Sequence, residues 1–144
     1  MTGRIYNYPF TVTNYQFEMT KGDDIQARLV GFAVAVIRLC DALPATGAGR
    51  HIAGQLLRSG TSPAPNYGEA RGAESRNDFI HKLKIVHKEL NESGVWLRII
   101  RESGLMHAGD LVSLEAECDA LCRIVSTSVK TTVANGKRKR IDNG

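Results

Sequence analysis

From Asp23 to Val133 the apolar residues recur at intervals of three and four, the spacing of helices that each bury one stripe. Ile25, Leu29, Phe32, Val36, Leu39 and Leu43 make the first series, and Val30, Val34 and Ile37 widen it. A helix apolar over that much of its circumference is expected between neighbours rather than at a surface. Asp23 or Asp24 is its expected cap, and Pro44 with Thr46-Gly47-Ala48-Gly49 marks the following turn. A second helix starts near Gly49 and carries Ile52, Ala53, Leu56 and Leu57. The third is the clearest. Ser75-Arg76-Asn77-Asp78 has the form of a capping box with Asp in place of Glu, and Phe79, Leu83, Val86, Leu90, Leu97 and Ile100 form its stripe. Ile85, Trp96 and Ile99 fall off that stripe and point to a second buried contact. Ser103-Gly104 closes it. The fourth helix runs from about Gly109 to Val133, with Leu111, Leu114, Cys118, Leu121, Val125, Val129 and Thr132 on one face. Helices of roughly 20 to 28 residues span about 30 to 42 Å. Joined by short connections, they predict an all-α, antiparallel up-down-up-down four-helix bundle.

Two stretches break this periodicity. Residues 1–22 hold five of the nine aromatics, and Tyr6, Tyr8, Phe10 and Val12 share the parity of an extended chain. An N-terminal arm is expected there, its aromatics either packed on the body or offered as a stacking platform for nucleic-acid bases. The second break is Arg58-Ser59-Gly60-Thr61-Ser62-Pro63-Ala64-Pro65-Asn66, which by propensity alone is a loop.

Composition sharpens the class. The 144 residues carry a net charge of +4, and Lys137-Arg138-Lys139-Arg140 supply all of it, leaving the remainder balanced. A histone-like polycation and a disordered polyelectrolyte are both excluded. The chain therefore divides into an arm (1–22), a neutral bundle (23–136) and a basic flexible tail (137–144). No apolar run approaches a membrane span, the start lacks a secretory pattern, and three cysteines suit a reducing compartment. A cytoplasmic protein without membrane contact is expected.

Candidate chemistry is sparse. His81 and His87 are six apart and cannot share a helix face, and no Glu-x-x-His, phosphate loop or nucleophile elbow occurs. No enzyme activity and no cofactor are expected. Cys118 and Cys122 stand one turn apart, as small buried groups or as the thiols of a metal or redox site. The third helix is locally basic through Arg76, Lys82, Lys84 and Lys88. That row reads either as a solvated face or, with Lys137, Arg138, Lys139 and Arg140, as a track for phosphates.

The segment that propensity assigns to a loop carries a resemblance. Arg58-Ser59-Gly60-x-Ser62-x-x-x-Asn66-x-x-Glu69-Ala70, followed by Ser75 to Phe79, Lys88-Glu89, Glu92 and Trp96-Leu97, resembles the bacterial four-helix bundle family encoded within intervening sequences of 23S ribosomal RNA genes. It covers about Ile25 to Val133, although Pro63 and Pro65 depart from the family pattern. The resemblance implies that the second helix continues, bent, to about Glu69 or Gly72, with Ser59 and Ser62 bonding carbonyls freed by proline. Asn66 and Glu69 would then be buried or half-buried and need partners such as Arg58, Lys88 or a backbone group. Arg58, Ser59, Ser62, Asn66, Glu69, Glu89 and Glu92 form the expected structural network.

The family is in turn similar to accessory proteins of diversity-generating retroelements, which form homopentamers that bind nucleic acid and a reverse transcriptase. That similarity implies a homo-oligomer, with a pentamer the leading form, and Ile85, Trp96 and Ile99 as subunit contacts. The expected function is a non-enzymatic bundle that binds nucleic acid through phosphates, RNA before DNA, with a ribosomal or reverse-transcriptase partner by analogy. The alternative is a protein-interaction scaffold.

Overall fold

A computed structural model of the chain describes residues 20–143, so the expected arm lies almost wholly outside the described residues. Five helical segments are present, α1 (Lys21–Ala42), α2 (Gly47–Thr61), α3 (Pro63–Arg71), α4 (Arg76–Ser103) and α5 (Ala108–Asp142), and no strand occurs among the described residues. The protein is all-α, and α2 with α3 makes one interrupted rod of four.

Every helix but α3 begins where a side chain takes a first-turn N–H. Thr20 caps α1: its Oγ1 accepts from the Asp23 backbone at 3.2 Å, and the Asp23 carboxylate accepts from the Thr20 N–H at 3.0 Å. The cap is thus Thr20 and not Asp23 or Asp24, because the reciprocal box satisfies two donors where a lone Asp cap satisfies one. Thr46 caps α2, accepting from Gly49 at 3.0 Å, and Ser75 caps α4, accepting from Asp78 at 3.1 Å. Gly104 ends α4 with φ +69°, a left-handed conformation that favours glycine.

The proline segment stays helical for a simple reason. Ser62 keeps right-handed helical angles, and the helix restarts at Pro63. Pro63 and Pro65 then occupy the first turn of α3, where an N–H has no intrahelical acceptor to lose. The first new bond is Asn66 N–H to the Ser62 carbonyl at 3.3 Å.

Neighbouring rods run in opposite directions. Down α1 from Cys40 through Val36 to Gln26, the partners on the second rod climb from Ala53 through Gly60 to Ala64. Along α4 and α5, Arg101 meets Glu115, Leu90 meets Cys118, and Arg76 meets Gly136. The core is formed by Leu29, Phe32 and Val36 of α1, Leu56 of α2, Leu83, Val86, Leu90, Leu97 and Ile100 of α4, and Leu111, Leu121 and Val125 of α5. Gly60 sets the α1–α2 approach: a Cβ there would lie 2.7 Å from Val36 Cγ1.

Two expectations need correction. Val30, Val34 and Ile37 are 48%, 40% and 43% exposed, so α1 is not enclosed by its neighbours within one chain. The three fall one turn apart on a face that the other rods do not reach. The expected flexible tail also differs, since α5 continues through the basic run to Asp142. Lys and Arg propagate a helix with little loss of rotamer freedom, and cations near a helix C-terminus complement its dipole. The interior Gly136 costs about 1 kcal/mol relative to alanine, yet here it is covered by the Arg76 side chain.

Candidate nucleic-acid interface

The contact between Arg76 and Gly136 brings the first turn of α4 against the last turns of α5. A Cβ at position 136 would meet Arg76 Nη1 at 2.7 Å, so the guanidinium lies across the glycine. A surface cleft of about 390 Å³ lies on one side, lined by Ser75, Arg76, Lys137 and Arg140 among others. A second, of about 380 Å³, is lined by Arg76, Thr132, Asn135, Arg138 and Lys139. Five of the sequence-predicted cations therefore gather at one end of the bundle. All five are exposed, and none makes an ion pair with a described residue. The positive end of the α4 dipole opens toward the same place.

The remaining basic residues separate. Lys84 and Lys88 stand exposed one turn apart, about 6 Å along α4. Lys82 turns instead toward α3, where its Nζ is 2.6 Å from the Glu69 carboxylate. That pair raises the Lys82 pKa and takes the ammonium out of the outward row.

The structural network also divides. Ser59 and Ser93 are fully buried, with hydroxyls 2.9 Å apart across the α2–α4 seam, and Ser93 Oγ lies 2.8 Å from the Glu89 carbonyl. Ser93 had no place in the expected network. Its spacing on the α4 stripe, between Leu90 and Leu97, was the available signal. Arg58 bridges Glu89, at 3.1 Å, and Glu92 at the rim of this seam, and Trp96 Nε1 donates to Glu92 at 3.3 Å. The Arg58 guanidinium holds the Glu92 carboxyl below its usual range.

Some expected roles change. Ser59 Oγ donates to Leu56 O at 3.4 Å, and it is Thr61 that donates to Leu57 O, at 2.6 Å. The hydroxyls thus bond the Leu56 and Leu57 carbonyls, about two turns before the prolines, rather than those the prolines free. Asn66 Nδ2 returns to the Ser62 carbonyl and hydroxyl, both at 3.0 Å. Glu69 is exposed rather than half-buried, because its α3 position faces Lys82 and solvent.

Of the residues assigned to subunit contact, Trp96 is half-buried within the chain, edge-on to His51 with ring centroids 6.1 Å apart. Ile85 is half-buried and Ile99 exposed. Cys118 is buried, its Sγ donating to Leu90 O at 3.2 Å, and the adjacent Cys122 sulfur together with burial pushes its thiol pKa up. Among the described residues no three His, Cys, Asp or Glu side chains converge on a metal-sized site, and no helix is long and apolar enough to cross a membrane.

The model of the 23S rRNA-intervening sequence protein family matches residues 24–127. The chain belongs to that family. A solved structure from Bacteroides thetaiotaomicron, a protein of unknown function from the S23 ribosomal protein family, is 30% identical with a TM-score of 0.72. The match covers 77% of this chain and 99% of that one. No curated protein matches. Within the family span lie the Arg58–Glu89–Glu92 bridge and the Ser59–Ser93 contact, whereas Lys137–Arg140 fall beyond it. The residues that carried the resemblance therefore map to the closing of the α2–α4 seam, and of the basic end only Arg76 lies within the matched span.

Proposed function

We propose that this family member is a non-enzymatic, self-associating bundle that binds nucleic acid through phosphates, RNA in preference to DNA. The observation that carries the reading is the gathering of Arg76 with Lys137, Arg138, Lys139 and Arg140 around the α4 N-terminus. Such a surface neutralises a phosphate backbone without reading sequence. The helical backbone of the basic run fixes the spacing of its charges. The family's gene location in ribosomal RNA makes RNA the first ligand to test.

Self-association is supported by the exposed apolar stripe Val30, Val34 and Ile37, with Leu57 exposed on the adjoining helix. In a ring of five, the form that the retroelement resemblance favours, the basic ends multiply into one field. The same stripe favours the second reading, a scaffold that recruits a protein partner through α1.

RNA binding measured from low to moderate salt tests the first reading. Engagement of all five cations gives a log–log slope of about −4, each phosphate contributing roughly −0.7 to −0.9. Affinity that is absent at low salt, or independent of salt, sinks it. Deleting residues 137–144 should abolish most of the RNA affinity. A protein partner retained by that truncation, with no RNA bound by the full chain, establishes the scaffold instead. Light scattering decides assembly: a monomer at all concentrations removes the ring.

A further inference from the structure

The last turns of α5 run on past the core. Val129 is the last α5 side chain among the described residues that packs against it, and Lys137 follows about 12 Å further along the axis. Four consecutive cations on a helix cannot share one face. At about 100° per residue, Lys137 and Arg140 fall about 60° apart, Arg138 and Lys139 about 100° apart, and the midlines of the two pairs about 180° from each other. The clefts divide in the same way. Lys137 and Arg140 line one with Ile80 and Val133, whereas Arg138 and Lys139 line the other with Thr132 and Asn135.

Arg76, lying across Gly136, borders both clefts and marks the side of the rod that α4 covers. By the same rotation the opposite side, between the two pairs, presents Ala134 and Ile141, both exposed. Asp142 is the one acid on the rod beyond Val129, and it makes no ion pair with a described residue. The end of α5 is therefore a projecting helix with a cationic flank on each side and an uncharged outer face between them.

Two opposed cationic flanks fit two anionic strands. A rod of about 10 to 12 Å diameter fills a wide groove of a double helix, whose two borders are the phosphates of the two strands. A single strand follows one flank, and reaches the other only by passing round the tip or over the α4 contact. Single-strand sites also set aromatic side chains among their cations for bases to stack on, and neither cleft has one in its lining among the described residues. What the clefts do offer is Ser75 and Asn77 on one flank and Thr132 and Asn135 on the other, hydrogen-bonding groups for the ribose hydroxyls of a wide, shallow groove. We propose that the end of α5 lies in the wide groove of an RNA duplex, each cation pair meeting the phosphates of one strand. This rests on the phosphate-binding reading above and adds that the ligand is double-stranded and that the basic run must be helical to hold it.

The test titrates the full chain with an RNA duplex and with one of its strands, unstructured and of equal length, across a salt series. Any cationic surface favours the denser charge of a duplex, so the variants carry the decision. Lys137→Ala with Arg140→Ala empties one flank, Arg138→Ala with Lys139→Ala empties the other, and alanine keeps the helix. On the duplex each double variant should weaken binding about tenfold and make the log–log salt slope shallower by about 1.5 to 2. On the single strand, which the untouched flank still serves, each should lose far less. Gly136→Pro keeps every cation but breaks the helix ahead of them, and should lower duplex affinity while sparing the strand. Equal losses on duplex and strand overturn the two-sided grip, as does a duplex loss from one double variant alone or duplex binding unchanged by Gly136→Pro. Each of these leaves the phosphate reading standing. Binding of neither ligand at low salt removes that reading, and the two-sided grip with it.

Discussion

The seam where α2 and α3 meet α4 and the seam between α1 and α5 are built from similar helices and closed very differently. Along the first, a buried hydroxyl pair (Ser59 and Ser93) is flanked on one side by Arg58 with Glu89 and Glu92, and on the other by Glu69 with Lys82. Along the second, the one ion pair among the described residues is Arg28 with Glu117, both nitrogen–oxygen distances being 2.9 Å. Clefts open above and below it, one lined by Ala35, Leu39 and Met106, the other holding Tyr67. The family signature falls on the closed seam. A recognisable run of polar residues can thus be a fastening between helices rather than a binding site.

Two glycines compare the side of α1 packed against α2 with its open side, and give the largest effect. Gly60 sits where a Cβ would strike Val36, whereas a Cβ at Gly31, on the open side of α1, would meet nothing within 4 Å. Gly60→Leu should destabilise the fold by about 3 kcal/mol, because a stiff β-branched neighbour in a packed core cannot yield. Gly31→Ala should instead stabilise it by roughly 0.5 to 1 kcal/mol through helix propensity. Denaturant melts of both variants measure the difference. Equal and small effects would mean that α1 is packed no more tightly toward α2 than on its open side.

Thr20 probes the entrance to the open seam. Thr20→Ala removes the capping box of α1 and should cost about 1 kcal/mol, with hydrogen exchange accelerated in the first turn of α1 and not in α2 or α4. The reading from sequence placed this cap on Asp23 or Asp24, since periodicity locates a helix body better than its ends. The same limit explains α5. Its apolar stripe runs out near Val129, so nothing in the pattern extends the helix through Gly136. It is the tertiary contact with Arg76 that covers the glycine. The four rods were legible because each carries a long, regular stripe. The cations of the basic end were legible one by one, but their convergence depends on α4 beginning opposite the end of α5. The Tyr67 cleft was not legible at all, because splaying of two helices leaves no mark on either sequence. Val30, Val34 and Ile37 were visible as apolar and misjudged as enclosed, because an exposed apolar face reads in the sequence like a core face.

The smallest effect lies in the closed seam's rim and has a defined sign. Hydrogen bonding from Arg58 holds the Glu92 carboxyl below its ordinary value of 4.5. A carboxylate with a depressed folded-state pKa adds stability above its unfolded pKa and loses it as pH falls through the folded one. The parent protein should therefore exceed Glu92→Gln in stability at neutral pH, and the gap should narrow below about pH 4.5. Arg58 is half-exposed and the bridge is screened by solvent, so the gap is small and shrinks further with added salt. Paired denaturant melts at neutral and acid pH read it directly. A gap that persists unchanged into acid would assign Glu92 to packing against Trp96 rather than to charge. The closed seam would then owe its closure to the buried Ser59–Ser93 contact and the apolar stripe beneath it, with the ionic rim a consequence of that fit.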